Sequence, residues 1–286
     1  MKSLIALSLL LCTGLALEIR EPRITQREHL ASMVQKVVAS PRIIKGKTAT
    51  AANEFAYQAG LSLFDGENVR FCGGSLISNE WVLTAAHCTL TAVKVTVYLG
   101  SITHLDYIEC LEVEKSNIII HPTFDMETTI NDIALIKIPA VKYSVAIQPV
   151  SLPNCASSYS SYVNTDVEAS GWGFTSDTSP TFSPVLQVAN FKVISNKVCA
   201  KRYGSSGIDT GKICTATVNR SGVREGDSGG PLVLASSKLQ IGIISFFSNK
   251  GCENDAPVVH TRVTSYLYWI RANTGIRLGN NNCVCL

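Results

Sequence analysis

A glycine-rich turn at residues 224–231 constrains this chain more than any other stretch. It reads REGDSGGP, so glycines flank Ser228 and its neighbour Asp227 on both sides. Glycine lets the backbone bend sharply and brings amide N–H groups close to whatever the serine attacks. A serine hydroxyl is a poor nucleophile at its own pKa and needs a base from another part of the chain. The fold must therefore bring a distant base to Ser228.

Two short motifs offer that base and an acid to orient it. His87 lies in the run TAAHC, and Asp132 lies in NDIAL, at the start of an apolar stretch. Taken singly, His87 could be a buried core histidine and Asp132 a turn residue. Together with Ser228 they follow the order His, Asp, Ser, which differs from the order in subtilisin and in the α/β-hydrolases. On these three motifs the sequence resembles the chymotrypsin/trypsin family of serine endopeptidases, over about residues 43 to 276.

Short apolar and β-branched runs between turn residues recur along the chain, and helical periodicity is nearly absent. This pattern is typical of an all-β sandwich or barrel. The runs are residues 71–77, 93–99, 116–120, 132–138, 185–194, 231–234 and 239–246. The resemblance implies two six-stranded antiparallel β-barrels with the active site in the crevice between them. The first barrel would supply His87 and Asp132, and the second would supply Ser228.

One helix is predicted near the C-terminus, ending at Gly275. Thr264 or Ser265 would cap it, and one face would carry Val263, Leu267 and Ile270. Residues 277–286 extend beyond the usual end of the family.

The N-terminal residues 1–16 have a basic start, an apolar run and small residues at the end. These features predict a secretory signal peptide that is cut after Ala16, although a membrane anchor is the alternative. Ten cysteines fit an extracellular compartment, where disulfides persist. The formal charge of +3 comes from residues 1–42, and the rest of the chain carries equal numbers of both signs. We therefore expect a secreted monomer that binds neither nucleic acid nor membrane.

Residues 17–42 are rich in charge and contain no glycine or cysteine. In the resembled family, precursors are cut between a basic residue and a start such as Ile-Ile, so the expected activation bond joins Arg42 to Ile43. Residues 17–42 would then be a propeptide and residues 43–286 the protease domain. The new ammonium of Ile43 would pair with buried Asp227 and order the active site, since a buried charge needs a partner. The alternative is that Arg42 is only an exposed residue of a linker.

The resemblance also assigns chemical roles to the three motifs. Ser228 would attack the peptide carbonyl, His87 would take and return the proton, and Asp132 would hold the imidazole in the required tautomer. The backbone N–H groups of Gly226 and Ser228 would form the oxyanion hole. No step needs a metal or an organic cofactor. Residues 171–173 (GWG) resemble the family's turn near the activation pocket, and Ser245, Phe246 and Phe247 resemble the segment that pairs with the substrate backbone.

The specificity pocket departs from the trypsin pattern. Its floor would be Gly222, where trypsin-like members have an aspartate, so a cationic substrate side chain would lack its counter-ion. A separate trypsin-like protease would then have to cut after Arg42. Phe247 and Val258 would form the walls and favour small apolar residues, as in elastases. The alternative is that Phe247 swings out and allows chymotrypsin-like cleavage after Tyr, Phe or Leu.

The resemblance implies two disulfides, Cys72–Cys88 and Cys199–Cys214. It also shows a departure, because Arg224 stands where the family usually has a cysteine that would pair with Cys252. Five cysteines remain, so at least one thiol is predicted to be free or to pair with another chain: Cys110, Cys155, Cys252, Cys283 and Cys285. Asn219 begins a glycosylation sequon.

Two function classes follow from these features. The first is a secreted serine endopeptidase that digests extracellular protein, with peptides and proteins as substrates and protein protease inhibitors as further partners. The second is an inactive homologue that acts as a binding or regulatory protein. Such homologues commonly lose one of the three motif residues, whereas this chain keeps all three, and only the missing bridge at Arg224 favours them.

Overall fold

Two antiparallel β-barrels account for most of the described chain. The computed structural model describes residues 47–103, 106–174, 181–218, 222–248 and 256–279, which belong to one compact unit. Its strands are β1 Lys47–Thr48, β2 Gln58–Phe64, β3 Val69–Ser78, β4 Trp81–Thr84, β5 Lys94–Leu99, β6 Glu109–Glu114, β7 Ile118–Ile120, β8 Ala134–Lys137, β9 Asp166–Gly171, β10 Gln187–Ile194, β11 Lys212–Thr217, β12 Pro231–Leu234, β13 Gln240–Phe246 and β14 Val258–Arg262.

Several sequence predictions lie outside the described residues. They concern the signal peptide 1–16, the propeptide 17–42, Arg42, Ile43, Asn219, Cys252, Cys283, Cys285 and residues 280–286 of the C-terminal extension. These remain predictions.

The first barrel contains β2 to β8 in the order β6-β5-β2-β3-β4-β8-β7. β6 and β7 are two halves of one extended run, interrupted by a short 3-10 turn at Lys115–Asn117. The first half pairs with β5 and the second with β8, so six lengths of strand close into a barrel. Along β5, Val95, Val97 and Leu99 alternate with polar neighbours and are at most 1% exposed, as a strand with one buried face requires.

The second barrel contains β9 to β14. β10 pairs with β11 on one side and with β9 on the other, which closes the sheet, and the two-residue β1 adds to β10. Ala189, Phe191 and Val193 alternate along β10 and face the interior. The predicted all-β architecture of two six-stranded barrels is confirmed, and each of the seven predicted runs contains a strand.

Three short α-helices accompany the barrels in the described residues: α1 Ala86–Thr89, α2 Asn196–Tyr203 and α3 Leu267–Thr274. The predicted C-terminal helix is α3, and Gly275 ends it in the left-handed conformation, at φ 72°. None of these helices is long and apolar enough to cross a membrane.

The predicted cap of α3 is wrong. The helix begins one or two residues later than expected, with Tyr266 as its N-cap and no side-chain cap. Thr264 and Ser265 lie inside a preceding 3-10 turn, Val263–Tyr266, and the Ser265 hydroxyl donates to the Thr210 carbonyl instead.

Helix α2 was not predicted from the sequence. Ser195 caps its N-terminus by accepting a hydrogen bond from the Val198 N–H, and Gly204 ends it at φ 83°. Only Cys199 of its eight residues is buried. A mostly polar helix of two turns leaves too little apolar periodicity to be recognised.

The barrels meet at a backbone contact that positions the site. The Gly73 N–H on β3 donates to the Ser228 carbonyl at 2.8 Å. A side chain on Gly73 would lie 2.9 Å from the Gly230 Cα, and one on Gly229 would collide with the Thr84 hydroxyl. Only glycines allow the turn at residues 226–230 to approach the first barrel this closely.

Candidate active site

His87 sits at the rim of the first barrel on the single turn of α1. The turn follows β4 directly, and a disulfide from Cys88 to Cys72 fastens it to β3. The imidazole is 21% exposed, and its Nδ1 lies 2.8 Å from Asp132 Oδ2. The backbone N–H of His87 donates to the other oxygen of Asp132, Oδ1, at 2.9 Å.

Asp132 precedes β8 and is completely buried. Besides the two bonds from His87, its Oδ2 accepts a 2.6 Å hydrogen bond from the Ser245 hydroxyl, and its carbonyl accepts one from Thr261. Burial raises the pKa of Asp132, but the charge and hydrogen bonds of His87 and the hydroxyl of Ser245 outweigh burial, so the pKa lies below its ordinary value. The ionised carboxylate favours the tautomer with a proton on Nδ1 and leaves His87 Nε2 as an acceptor.

The turn that carries Ser228 leaves two N–H groups unused. Asp227, Gly229 and Gly230 donate their N–H groups to carbonyls of Arg224, Ile244 and Asp227 respectively. In the described part of the chain, the N–H groups of Gly226 and Ser228 donate to no other group. Gly226 has φ 96°, a conformation that a side chain would strain. Two unused donors on either side of Asp227 are the arrangement that binds a developing oxyanion.

The turn of Ser228 lies against β3 of the first barrel, which a disulfide joins to the segment of His87. Ser228 is half-buried, and its carbonyl accepts a hydrogen bond from the Gly73 N–H. Gly73 follows Cys72, which forms a disulfide with Cys88, the residue after His87. Within the described residues, the Ser228 hydroxyl makes no hydrogen bond to His87. Catalytic hydrogen bonds are often long without substrate and tighten only when it binds. The structure thus joins His87 to Asp132 directly and brings the turn of Ser228 against the segment that holds His87.

Asp227 is as deeply buried as Asp132 but has weaker partners. Its carboxylate accepts two 2.8 Å bonds, from the backbone N–H groups of Gly173 and Arg224. Burial raises the pKa of Asp227 to about 7, against these two bonds and the nearby Arg224 guanidinium. No ion pair reaches this carboxylate from the described residues. Side chains on Gly171 or Gly173 would collide with it, so the GWG turn encloses the carboxylate.

Two of the residues assigned to the specificity pocket, Phe247 and Val258, lie together at one end of the second barrel. Phe246 on β13 pairs with Val259 on β14, which places Phe247 and Val258 next to each other in register. Val258 is 1% exposed, and Phe247 packs against the same apolar cluster. Gly222 is buried in the chain segment that leads to the serine turn.

The disulfides match the sequence predictions where they can be compared. Bonds join Cys72 to Cys88 and Cys199 to Cys214. Two of the five remaining cysteines, Cys110 and Cys155, are also disulfide-bonded, so neither of them is the free thiol. Arg224, which replaces the expected pocket cysteine, is 5% exposed.

The sulfur atoms of Cys72 and Cys88 and the ring of His87 lie within 4.8 Å of one another. This cluster cannot bind a metal as thiolates do, because both sulfurs are committed to their disulfide.

Sequence reasoning missed two polar residues of the site. Ser245 was expected only to begin the substrate-pairing segment, yet its hydroxyl is bonded to Asp132. Thr261 lies within an apolar run and supports the Asp132 backbone from 129 positions away. The one available signal was a hydroxyl at a buried position of a β-strand, which needs a partner.

Comparison with known proteins places these motifs in one family. A family profile described as Trypsin matches residues 43–270. A collagenase of Hypoderma lineatum is 43% identical over 87% of this chain and 93% of its own length. Serine protease 1 of Drosophila melanogaster is 40% identical over 77% of this chain and 81% of its own, and brachyurin of Leptuca pugilator is 38% identical over 82% and 99%.

Solved structures agree with the fold. A structure described as HL collagenase superimposes with a TM-score of 0.75 at 43% identity, covering 82% of this chain and 99% of the other. A scabies mite protein described as an inactivated protease paralogue superimposes with a TM-score of 0.70 at 24% identity over the same shares. At that identity the second likeness concerns the fold alone.

Proposed function

We propose that this chain, which belongs to the trypsin family of serine proteases, is a secreted endopeptidase made as an inactive precursor. Proteases of this family are hydrolases that act on protein substrates. The observation that carries the proposal is the 2.8 Å bond from His87 to the ionised, fully buried Asp132, which leaves Nε2 of the imidazole as a base.

The proposed reaction is acyl transfer through Ser228. His87 Nε2 takes the proton of the Ser228 hydroxyl as its oxygen attacks the peptide carbonyl. Asp132 stabilises the imidazolium that forms. The N–H groups of Gly226 and Ser228 bind the negative oxygen of the tetrahedral intermediate. His87 then protonates the leaving amine, and a water molecule releases the acyl group by the same steps in reverse.

We propose that cleavage of the bond between Arg42 and Ile43 activates the enzyme. The support lies at Asp227, a buried carboxylate whose two hydrogen bonds do not compensate its burial. A terminal ammonium beside it would supply the missing charge and stabilise the neighbouring turn of Ser228. Gly222 offers no anion for an arginine, so the activating enzyme would be a separate trypsin-like protease.

The competing proposal is an inactive homologue that binds other proteins. Arg224 in place of a cysteine is the observation that favours it. The fold does not decide between the two, since unrelated functions share folds.

The test begins with the purified precursor, cut by trypsin. Terminal sequencing should read from Ile43, and a fluorophosphonate should then label Ser228. The uncut precursor and the Ser228→Ala variant are the matched controls and should take little or no label. A correctly cut chain that takes no label would belong with the inactive homologues, and full labelling of the uncut chain would contradict the precursor proposal.

For the specificity of the cleaved enzyme, we propose a preference for Ala or Val before the scissile bond. Phe247 and Val258 lie side by side, and both pack on the apolar cluster of the second barrel. Values of kcat/KM on a matched series with Ala, Leu, Phe or Arg at that position test this. A preference for Phe would favour the chymotrypsin-like alternative, and a preference for Arg would contradict the role of Gly222.

Two variants sharpen the test of specificity. Phe247→Gly combined with Val258→Gly should move the preference toward aromatic residues, by about 1–3 kcal/mol for each methylene-sized change in fit. Native collagen belongs among the protein substrates to be tried, because a relative of 43% identity is named a collagenase.

A further inference from the structure

Lys212, at the start of β11, is a buried lysine that the reaction above does not use. It is 1% exposed and is among the largest fully buried side chains of the described residues. Its Nζ donates to the Thr129 carbonyl and to the Ser245 hydroxyl, the latter at 3.4 Å, and lies 5.7 Å from the centre of the Phe246 ring. No salt bridge to Lys212 occurs in the described part of the chain. A buried ammonium without an ion-pair partner is costly and calls for an explanation.

Ser245 connects this ammonium to the active site. Its hydroxyl accepts from Lys212 and donates to Asp132 Oδ2 at 2.6 Å, and the same oxygen lies 2.8 Å from His87 Nδ1. A hydroxyl that accepts from a cation becomes a stronger donor, because linked hydrogen bonds polarise one another. The positive charge therefore lies two hydrogen bonds from Asp132.

The other groups around Lys212 define the local charge. Those that are charged or titratable and lie on the segments packed against Lys212 are Asp132, Asp209, His260, Arg262 and Tyr266. Burial and the nearby lysine lower the pKa of His260 to about 3, so this histidine is neutral at working pH. Burial and the two aspartates raise the pKa of Tyr266, so it is neutral as well.

Two anions and two cations remain. Arg262 donates from Nε to the backbone carbonyl of Lys212, not to its side chain or to Ser245. Burial lowers the pKa of Lys212, and the charges of Asp132 and Asp209 oppose that change and favour the ammonium. Lys212 is therefore the cation that is linked to Asp132 by hydrogen bonds.

We propose that Lys212 is a positioning residue of the active site, which acts through Ser245 on Asp132 and extends the activity of His87 to lower pH. The inference rests on the proposed protease function. The ammonium balances part of the charge of Asp132, so this carboxylate holds a proton on His87 less strongly. With less stabilisation of the imidazolium, His87 stays available as a base in more acidic solution.

The test is the pH profile of kcat/KM for the cleaved enzyme carrying Lys212→Met, which keeps the length of the side chain and removes its charge. On the acid side of the profile (the acid limb), the pH at which kcat/KM has fallen to half should move up by about 0.5–1 pH unit. This is the effect expected of one charge two hydrogen bonds away in a protein interior. The shift should persist in high salt, since buried charges are little screened. Lys238→Met is the matched control: it removes a lysine of the same barrel that pairs with Glu168, and it should leave the acid limb in place.

The route through Ser245 is tested by combining changes. In a Ser245→Ala background, Lys212→Met should move the acid limb by less than half as much. If the methionine variant does not fold, Lys212→Gln is measured in its place, and fluorophosphonate titration counts the active sites in every sample.

The outcomes separate the two proposals. A cleaved wild-type enzyme that takes no label refutes the protease function and this role with it. A labelled wild type whose Lys212 variant keeps its acid limb refutes the role of Lys212 alone. A loss of kcat that is equal at every pH, without a shift of the limb, also overturns it, because that result fits a lysine that only fills space.

Discussion

The site contains two buried aspartates, one beside each barrel, and their pKa values are shifted in opposite directions. Asp132 and Asp227 are at most 1% exposed, and burial acts to raise the pKa of both. The pKa of Asp132 is nevertheless lowered, whereas that of Asp227 rises to about 7. Burial alone therefore does not decide the charge of a carboxylate.

The partners explain the difference. Asp132 receives hydrogen bonds from an ionisable imidazole, a hydroxyl and a backbone N–H, and the imidazole becomes a cation during the reaction. Asp227 receives two bonds from the backbone alone. On the first barrel, Asp132 has an ionisable side chain bonded to it, whereas on the second barrel the Arg224 guanidinium lies near Asp227 and no cation of the described chain is bonded to it. An activation step would thus be expected to act on the second barrel.

The largest expected effect on kcat comes from removing one reacting side chain, from either the first or the second barrel. Ser228→Ala or His87→Ala should each lower kcat by about 10⁶-fold, because groups that act as a unit are lost together. The double variant should be no worse than either single one. Turnover of a peptide substrate by the cleaved enzyme measures this, with exposed Ser236→Ala as the control that keeps its rate. Two losses that multiply in the double variant would show that the halves act independently.

The second prediction concerns Asp227 and the pH dependence of stability. Its pKa rises from an ordinary 3.8 to about 7 on folding, so the folded precursor binds the proton more tightly than the unfolded chain. Stability is then full below pH 4 and falls as the pH rises to 7, by up to about 4 kcal/mol. In the cleaved enzyme, the proposed ammonium of Ile43 beside Asp227 would remove this loss.

Urea unfolding of the two forms, both carrying Ser228→Ala to prevent self-digestion, measures the difference. The gap in the free energy of unfolding should widen between pH 4 and 7. Apart from the charged residues 17–42 and the new ammonium of Ile43, the titrating groups are common to both forms and cancel. Asp227→Asn should abolish the widening, and parallel curves for precursor and cleaved enzyme would contradict the proposed role of the ammonium.

The smallest effect should come from the hydroxyl that supports Asp132. Ser245→Ala removes a hydrogen bond to a charged group, which is typically worth about 1.5–3 kcal/mol, and should lower kcat/KM by about 10- to 100-fold. Thr261→Val is the matched comparison, because its hydroxyl bonds only to the Asp132 carbonyl, and it should cost about tenfold or less. Equal losses in both variants would mean that the bond from Ser245 to the carboxylate contributes no more to catalysis than the bond from Thr261 to the backbone carbonyl.

The parts of the fold that could be predicted from sequence are those with a local signal. The strands follow from short apolar runs between turn residues, and the serine turn follows from its glycines. His87 and Asp132 lie 45 positions apart, and their contact was expected only because the order of three motifs resembles a known family.

The parts that could not be predicted depend on packing between distant segments. A lysine at the start of a strand normally faces water, and nothing around Lys212 in the sequence indicates burial beside Ser245. The cap of α3 failed for a similar reason, since the Ser265 hydroxyl has a partner at Thr210, far away in the chain.

The contact of Gly73 with the turn of Ser228 leads us to expect an order of events during folding. Residues of the first barrel leave the ribosome well before residue 228, and barrel-sized units tend to form as they appear. The carbonyl of Ser228 finds its donor only on that earlier barrel, so the turn reaches its final shape in the docking step. We therefore expect a nascent chain to carry no working nucleophile, whatever the state of its N-terminus, until synthesis is nearly complete.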